Sequence, residues 1–446
     1  MSRLGPIARS IKEFLREFVE LSVAERLLIS AIAVALSVVV GFFIILATGR
    51  MATCQTAAWT MPFTGVGFCY DPFRVYAILF NGALGYPFLI GEGAPYVLPT
   101  WMPINLQLGL DPAWTPFNLS LGLTLSETTL LIFTGLSVAV AFRAGLFNIG
   151  TQGQLVIGAL STALVVVGAA PYLPEGLIGG AILVTLGILA GAVGGGLWGA
   201  IPGALKAYAD ANEVITTIML NFIAANIAYV LVLEVFRAPG SSVVATKYVP
   251  KYAQLDPWFF PQTSGFAEVA LLIALAFVAG LYVLVEHTPF GFDLRTSGIQ
   301  PMAAEYGGVD SKRTTVSAMT LSGALGGVGG AVWVLMKEGR WLESIPAIGF
   351  DGITVSILAG NNPLGIIPAA LLFGVLKGGA LEIGFQTDVP TELVGVLRGM
   401  IILFVAMPEF FRQFGRYLGL DEEPVAESTE SESDDTAATD GGETDA

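Results

Sequence analysis

Long apolar runs separated by short polar segments dominate the chain, and most of the runs are about as long as one membrane crossing. About 20 apolar residues in a helix span the hydrocarbon core of a bilayer. No run alternates as a half-buried strand does, so the pattern predicts an all-α, polytopic membrane protein. The eighth run is too short to cross fully and predicts a half-helix. The ten predicted spans are 28–48, 124–142, 152–171, 177–203, 214–236, 266–286, 317–336, 349–361, 364–384 and 391–411.

Composition supports this prediction and separates the ends from the transmembrane domain, 28–411. The chain is 54% hydrophobic and 13% charged, whereas soluble domains carry about a quarter charged residues. Residues 1–27 have apolar positions at helical spacing with basic residues between them, which predicts an amphipathic cytoplasmic segment on the membrane surface. The segment 412–446 is acidic and poor in bulky apolar residues, which predicts a disordered cytoplasmic tail.

Lys and Arg in the short loops predict the orientation, because they are enriched on the cytoplasmic side. Twelve lie on the side that holds both predicted termini and seven lie on the opposite side. This bias places both termini in the cytoplasm of a multi-pass plasma-membrane protein. It also makes the loop 49–123 external and the loop 287–316 cytoplasmic. The latter contains a helix-forming stretch and is long for a simple connector.

Both cysteines, Cys54 and Cys69, lie in the loop 49–123. An external loop permits a disulfide between them, and two free thiols are the equal alternative. With His287 as the single histidine and far away in sequence, these residues do not supply the ligands of a metal site. No metal is predicted.

The sequence lacks the motifs of an enzyme. It has one His, no G-x-S-x-G, no H-E-x-x-H and no paired carboxylates in one span. Its glycine clusters are not followed by the Lys-Ser/Thr of a phosphate-binding P-loop. We therefore predict no catalytic site and no cofactor in this chain. If transport is driven by ATP, then ATP and Mg²⁺ bind to a partner subunit.

Small residues form two stripes at helical spacing, in the fourth and seventh predicted spans. Such stripes let helix backbones approach closely in a membrane. The first stripe, predicted to serve helix packing, is Gly187, Gly191, Gly195, Gly199 and Gly203. The second is Ser322, Gly323, Gly326, Gly327 and Gly330.

Polar residues inside the spans are candidates for a transport pathway or for buried pairs, because they are costly in lipid. Lys377 and Glu382 are close enough in sequence to pair locally near a helix end. The candidates are Asn221, Asn226, Asp351, Lys377, Glu382, Glu392 and Arg398.

The stretch FRAGLFNIGTQGQL, residues 142–155, joins two apolar runs yet is rich in polar and glycine residues. Glycines permit a turn or a break, and irregular backbone at membrane depth needs protein or a water-filled cavity to satisfy its polar groups. Arg143 fits the positive-inside rule, which gives it a topological role. The residues predicted to satisfy the break and to line the lower pathway are Asn148, Gln152 and Gln154.

The same stretch resembles the FRAGLFNIGAEGQ signature of permeases in nucleoside ABC importers, which belong to the simple-sugar and branched-chain amino-acid permease family. Three more segments are similar to that group: 125–143 (LSETTLLIFTGLSVAVAFR), 211–224 (ANEVITTIMLNFIA) and 291–313 (GFDLRTSGIQPMAAEYGGVDSKR). The resemblance covers roughly 120–410. The external segment departs from it, since about 86–120 looks inserted.

The resemblance implies a permease that works with a second permease subunit, two cytoplasmic ATP-binding subunits and an external substrate-binding lipoprotein, in membrane lipid and without nucleic acid. Ala303, Ala304 and Gly308 match the A-A-x-x-x-G part of the motif by which such permeases dock on their ATPases. Met302 stands where the wider superfamily often has Glu, so the match is partial. An ordinary amphipathic loop helix is the alternative.

The resemblance favours nucleosides as the substrate. Amide groups for base and ribose, and an apolar surface for stacking, are supplied by Asn148, Gln152, Gln154, Asn221 and Phe222. Simple sugars and branched-chain amino acids are the rival substrates. A second alternative, a secondary transporter or channel, would need carboxylate or histidine relays at mid-membrane and would lack an ATPase-docking loop. The single histidine and the partial A-A-x-x-x-G motif argue against it. The absence of catalytic motifs argues against the third alternative, a membrane enzyme.

Overall fold

A computed structural model describes residues 23–61, 65–90, 108–111, 113–387, 389–390 and 392–406. Residues 26–406 form one compact unit. The predicted acidic tail, nearly all of the predicted surface segment 1–27 and most of the insertion at 86–120 lie outside the described residues.

The described chain is mostly helical, with two short pairs of antiparallel strands. Strand β1 (Trp59–Thr60) pairs antiparallel with β2 (Gly67–Phe68), and β3 (Phe88–Ile90) pairs antiparallel with β4 (Leu108–Leu110). The helices are α1 (Val23–Met51), α2 (Pro72–Ala77), α3 (Leu119–Arg143), α4 (Thr151–Ala169), α5 (Leu177–Ala209), α6 (Glu213–Leu231), α7 (Glu268–His287), α8 (Pro289–Ile299), α9 (Pro301–Tyr306), α10 (Ser311–Val332), α11 (Ile348–Leu358), α12 (Ile366–Gln386) and α13 (Glu392–Ala406). Short π-helical turns follow α2, α6 and α10, at Ile78–Gly82, Val232–Phe236 and Trp333–Glu338.

Seven described helices are long and apolar enough to cross a membrane. They are α3, α5, α7 and α12, together with α6 and α10 and the turns that follow them, and α4 with the short helical turn Ala170–Tyr172. Each coincides with a predicted span. The other three predicted spans fall on α1, whose apolar stretch is Ala35–Met51, on α11 with 11 residues, and on α13 with 15. The total of ten stays a prediction.

Two spans begin earlier than the apolar pattern predicts, because polar side chains cap their first turns. Asn118 accepts a hydrogen bond from the amide of Leu121, so α3 begins at Leu119 rather than 124. Asp310 accepts one from the amide of Arg313, so α10 begins at Ser311 rather than 317. A polar residue at the N-cap satisfies donors that the helix itself leaves free.

Helices α3 and α10 form the centre of the domain. In each of these two helices, 83% of the apolar 18-residue stretch that could cross a membrane is buried, compared with 28% in α5 and 22% in α6. The peripheral helices therefore present apolar side chains outward, as a lipid-facing layer requires. Residues that act inside the protein are accordingly expected on the central helices and on the elements that touch them.

The two small-residue stripes meet where α5 crosses α10, through Gly323 and Gly327 of the second stripe, whereas Gly326 and Gly330 face α3 and α4. A methyl group at Gly327 would lie 2.0 Å from the carbonyl oxygen of Gly191, and one at Gly195 would lie 2.4 Å from that of Gly323. The backbones are therefore in direct contact, with no room for side chains. Gly187 instead meets Val166 and Thr162 of α4.

Cys54 and Cys69 form a disulfide that closes the segment carrying the β1–β2 hairpin. The alternative left open by the sequence, two free thiols, is excluded in this structure. Residues that follow this segment contact the start of α3 and the end of α12: Leu84 accepts a hydrogen bond from Asn118, and Gly82 lies against Glu382. Because Arg143 is the last residue of α3, the segment lies at the opposite end of the domain. We call this end the disulfide face and the other the α8–α9 face.

Loss of this disulfide is expected to cost about 3 kcal/mol of stability, since cross-linking a loop of about 15 residues restricts the unfolded chain. Thermal melting of Cys54→Ser in detergent, with and without reductant, measures the effect. Reductant should lower the melting temperature of the wild type and leave the variant unchanged. Equal melting of wild type and variant without reductant would contradict the expectation.

Candidate functional site

The helical structure is interrupted between α3 and α4, and we call this interruption the helix break. Side chains from α6 form hydrogen bonds with the backbone N–H and C=O groups there that have no helical partner. Gly145 turns the chain with a φ of 68°. The Asn221 side chain accepts a hydrogen bond from the amide of Gly153 at 2.7 Å and donates one to the carbonyl of Ile149 at 2.9 Å. The Thr217 hydroxyl accepts from the amide of Ile149 at 3.3 Å. The break is therefore an ordered element, held from a neighbouring helix.

Asn148 and Gln154 lie behind the break in a buried polar cluster. Asn148 is 0% and Gln154 1% exposed. The Asn148 amide donates to Gln154 at 3.1 Å and to the Ser322 hydroxyl at 2.7 Å, and its oxygen accepts from the amide of Gly150 at 2.8 Å. These groups are fully engaged with protein, so in this conformation they hold the break and face no open space.

The same cluster joins the two central helices through a reciprocal pair of serines. The Ser137 hydroxyl of α3 donates to the carbonyl of Ser322 at 2.7 Å, and the Ser322 hydroxyl of α10 donates to the carbonyl of Ser137 at 2.5 Å. The helices therefore cross at a polar contact, next to Asn148, at the level where α4 begins.

Gln152 reaches from the first turn of α4 to the start of the half-helix α11. Its Nε2 donates to the carbonyl of Pro346 at 3.0 Å, and its Oε1 accepts from the amide of Gly349 at 2.8 Å. The N-cap residue of α11 itself is Ala347, whose side chain forms no capping hydrogen bond. Gln152 is thus an N-cap supplied from another helix, and it satisfies a donor that a helix start leaves free.

The two capped helix starts share a short sequence that the apolar pattern did not reveal. Residues 149–153 read IGTQG and residues 348–352 read IGFDG. Helix α4 leads away from Arg143, whereas α11 leads toward it, since Arg143 Nε donates to the carbonyl of Asn361 just beyond α11. Two half-buried helix N-termini of opposite direction therefore meet at Gln152.

Two exposed aromatic side chains directly follow, in the chain, residues that make these hydrogen bonds. Phe222, which follows Asn221, is 63% exposed, and Phe350, which follows Gly349, is 42% exposed. Gln152 is itself only half-buried. Gln152, Phe222 and Phe350 are thus accessible, whereas Asn148, Gln154 and Asn221 are buried.

A network of four charges links the central helix α3 to three other elements. Glu127 pairs with Lys337 at 2.6 Å and with Lys377 at 2.7 Å, and Lys377 also pairs with Asp351 at 3.1 Å. The side chains are between 15% and 26% exposed, and the four formal charges cancel. Sequence reasoning missed this network because its members lie on four separate elements.

The remaining polar candidates lie elsewhere. Glu382 does not pair with Lys377 but accepts from Ser120 at 3.3 Å and from Gln386 at 2.9 Å. Asn226 donates to the carbonyl of Phe222 within its own helix. Glu392 is exposed, and the side chain of Arg398 lies outside the described residues.

The predicted coupling segment folds as two short helices on the α8–α9 face. Ala304 is buried and Ala303 is exposed, while Gly308 ends the segment with a φ of 89°. Large apolar side chains project from it: Ile299, Met302 and Tyr306 are 83%, 68% and 93% exposed. A surface of this kind on a short helix is typical of a site for a protein partner.

On the disulfide face a recess of about 270 Å³ opens next to the charge network. Lys337, which pairs with Glu127, is one of the residues that line it. The other polar or charged lining residues are Lys251, Gln254, Asp256, Gln262 and Thr263. Lys337 therefore belongs both to the recess and to the charge network.

Comparison of the sequence with known proteins identifies the family to which the chain belongs. The branched-chain amino acid transport system / permease component family matches residues 120–406, which is more than half of the chain. The chain belongs to this permease family. No solved structure gives a significant match.

The proteins to which the chain is similar include nucleoside permeases. The chain is similar to the guanosine ABC transporter permease protein NupP of Bacillus subtilis, at 37% identity over 284 residues, or 63% of this chain and 79% of the relative. It is similar to the nucleoside ABC transporter permease protein NupB of Lactococcus lactis, at 34% over 350 residues, or 77% and 85%. The glucose ABC transporter permease protein TsgB13 of Haloferax volcanii is 32% identical over 298 residues, or 64% and 75%.

Proposed function

We propose that the protein is the membrane-spanning permease subunit of an ATP-driven, binding-protein-dependent importer of nucleosides. The observation that carries this proposal is the similarity to guanosine and nucleoside permeases at 37% and 34% identity. The residues of the FRAGLFNIGTQGQL signature form the helix break, whose backbone amides are hydrogen-bonded by Asn148 and Asn221. The ATPase sites, with ATP and Mg²⁺, belong to separate subunits in this proposal.

The α8–α9 face is cytoplasmic in this proposal and the disulfide face is external. Support comes from the Lys/Arg bias of the short loops and from the Cys54–Cys69 disulfide, which suits an oxidising compartment. The exposed apolar residues of α8 and α9 suit docking to an ATPase, with Ala303, Ala304 and Gly308 at the contact. The external substrate-binding lipoprotein approaches the disulfide face.

The transport pathway runs past the paired helix starts in this proposal. Gln152 offers an amide, and Phe222 and Phe350 offer apolar faces, which are the groups that a ribose hydroxyl and a nucleobase require. Asn148, Gln154 and Asn221 support this surface from beneath. A second permease subunit, identical or paralogous, closes the other side of the pathway.

Uptake of radiolabelled solutes by a deletion strain, with and without the gene, tests the substrate. Guanosine and uridine uptake should fall in the deletion and return with the gene, while ribose, glucose and leucine uptake should not change. If only sugar or leucine uptake fell, nucleoside import would be refuted.

Glucose is the second candidate substrate. Its support is the glucose permease of Haloferax volcanii, which shares 32% identity with this chain. The uptake assay separates the two candidates directly, because a glucose permease would restore glucose uptake alone.

Gln152→Ala is expected to lower nucleoside uptake about 10-fold or more while the protein still assembles. The loss of two hydrogen bonds frees the start of α11, and at 0.5–1.5 kcal/mol for each bond the combined loss of about 1–3 kcal/mol includes this factor. The measurement is initial uptake rate, normalised to the amount of folded protein. Asn226→Ala is the matched control, since it removes an amide from an exposed site on α6. Wild-type uptake by both Gln152→Ala and Asn148→Ala would reduce the break to a structural hinge.

A further inference from the structure

Arg143 lies at the centre of an ion-pair chain on the α8–α9 face, which goes beyond a topological role. Its Nη1 pairs with Glu286 of α7 at 2.6 Å, and its Nε donates to the carbonyl of Asn361 at 2.9 Å. The second oxygen of Glu286 pairs with Arg295 of α8. One guanidinium and one carboxylate thus connect α3, α7, α8 and the end of α11.

Backbone contact reinforces this connection. A methyl group at Gly145 would lie 2.6 Å from the carbonyl oxygen of Gly298, and one at Gly298 would lie 2.7 Å from that of Arg143. The last turn of α8 is therefore pressed against the beginning of the helix break. Helix α9 begins at Pro301, and Gln300 is the single residue between it and α8, so the two short helices are directly linked.

The half-helix α11 extends the connection to the candidate pathway. At one end, Asn361 adopts a φ of 57° and accepts a hydrogen bond from Ser356, which fixes the carbonyl that Arg143 binds. At the other end, the amide of Gly349 binds Gln152. With 11 residues, α11 is a rigid rod about 16 Å long between Arg143 and Gln152.

We propose that Arg143 is a positioning residue that transmits movement of the α8–α9 segment to α11 and so to the helix break at Gln152. This inference rests on the proposed function, since it supposes that a partner moves α9. Arginine is required because its planar group binds the Glu286 carboxylate and the Asn361 carbonyl at once. A lysine presents a single point charge and does not hold both in a fixed geometry.

The test uses the complete transporter in lipid nanodiscs, with its ATPase subunits and with binding protein that is empty or loaded with guanosine. In Arg143→Gln, stimulation of ATP hydrolysis by the loaded binding protein should fall by about five-fold or more, a usual size for coupling between sites. Basal hydrolysis and co-purification of the ATPase should stay within about two-fold. Arg143→Lys should fall between the wild type and Arg143→Gln.

Lys206→Gln is the matched control. Lys206 pairs with Asp210 and Glu213 on the same face, but it joins α5 to α6 and not to α8 or α11. Its removal should leave the stimulation unchanged. Glu286→Gln provides an independent variant that breaks the same chain and should reproduce the loss.

Wild-type stimulation in Arg143→Gln and Glu286→Gln would overturn the inference. If both variants fail to assemble, Arg143→Lys decides, since full stimulation in that variant contradicts the need for two simultaneous contacts. If the wild type itself responds to glucose and not to guanosine, the proposed substrate fails. The same variants then test the inference with glucose-loaded binding protein.

Discussion

Replacing Glu127 by glutamine should destabilise the protein by about 3–5 kcal/mol, the usual effect of removing one partner from a buried ion pair. Glu127 faces both Lys337 and Lys377, so its loss leaves two cations inside the bundle with Asp351 as the remaining acid of the network. Thermal unfolding of the purified protein in detergent, followed by size-exclusion chromatography, measures the change.

Asp256→Asn is the control for this prediction. It also removes the acidic partner of a lysine, but the Lys251–Asp256 pair has side chains 67% and 43% exposed. Exposed pairs contribute about 0–1 kcal/mol, so this variant should melt like the wild type.

A double variant distinguishes charge balance from shape. Glu127→Gln with Lys377→Gln leaves Lys337 and Asp351, whose charges cancel, so part of the lost stability should return. A double-mutant cycle gives the coupling between the two residues. A double variant as unstable as the sum of the single variants would show that the network does not depend on its charge balance.

Gly195→Val should prevent α5 and α10 from packing and cost more than about 3 kcal/mol, which exceeds the usual 1–3 kcal/mol of overpacking. A side chain there meets the backbone of Gly323 and Gly327, at 2.4 Å and 2.6 Å, and backbone cannot move aside as a flexible side chain can. The yield of monodisperse protein and its melting temperature are the measurements.

Gly280→Val in α7 is the matched control, because a side chain at Gly280 meets nothing within 4 Å. The two variants have the same helix propensity cost, so the difference between them isolates the contact of α5 with α10. Equal stability of the two variants would show that the glycine stripe is not needed for packing.

The sequence predicted those parts of the fold that depend on periodicity and composition. The stripe at Gly191 and Gly195 follows from spacing alone, and its contact with Gly327 is the geometry that small residues allow in a membrane. The short eighth run was predicted as a half-helix, and α11 has 11 residues. The seven long spans coincide with predicted ones for the same reason.

Properties that depend on which elements meet in space could not be predicted. The sequence indicates that Lys377 can pair with Glu382 five positions away, yet its partners are Glu127 and Asp351 on other helices. The sequence indicates only a topological role for Arg143, because its partners Glu286 and Asn361 are remote in sequence. Only the IG-x-x-G repeat at 149–153 and 348–352 was visible in the sequence and would have pointed to the paired helix starts.

The meeting of α4 and α11 has an electrostatic consequence for what can pass. Each helix start carries about half a positive elementary charge from its aligned peptide dipoles, and two of them face the same place, where Gln152 binds Gly349. Asp351 in the first turn of α11 is already paired with Lys377. These partial charges favour the lone pairs of hydroxyl and carbonyl oxygens over Na⁺ and hydronium. In the proposed pathway, such a place would favour an uncharged, oxygen-rich solute and disfavour the leak of cations.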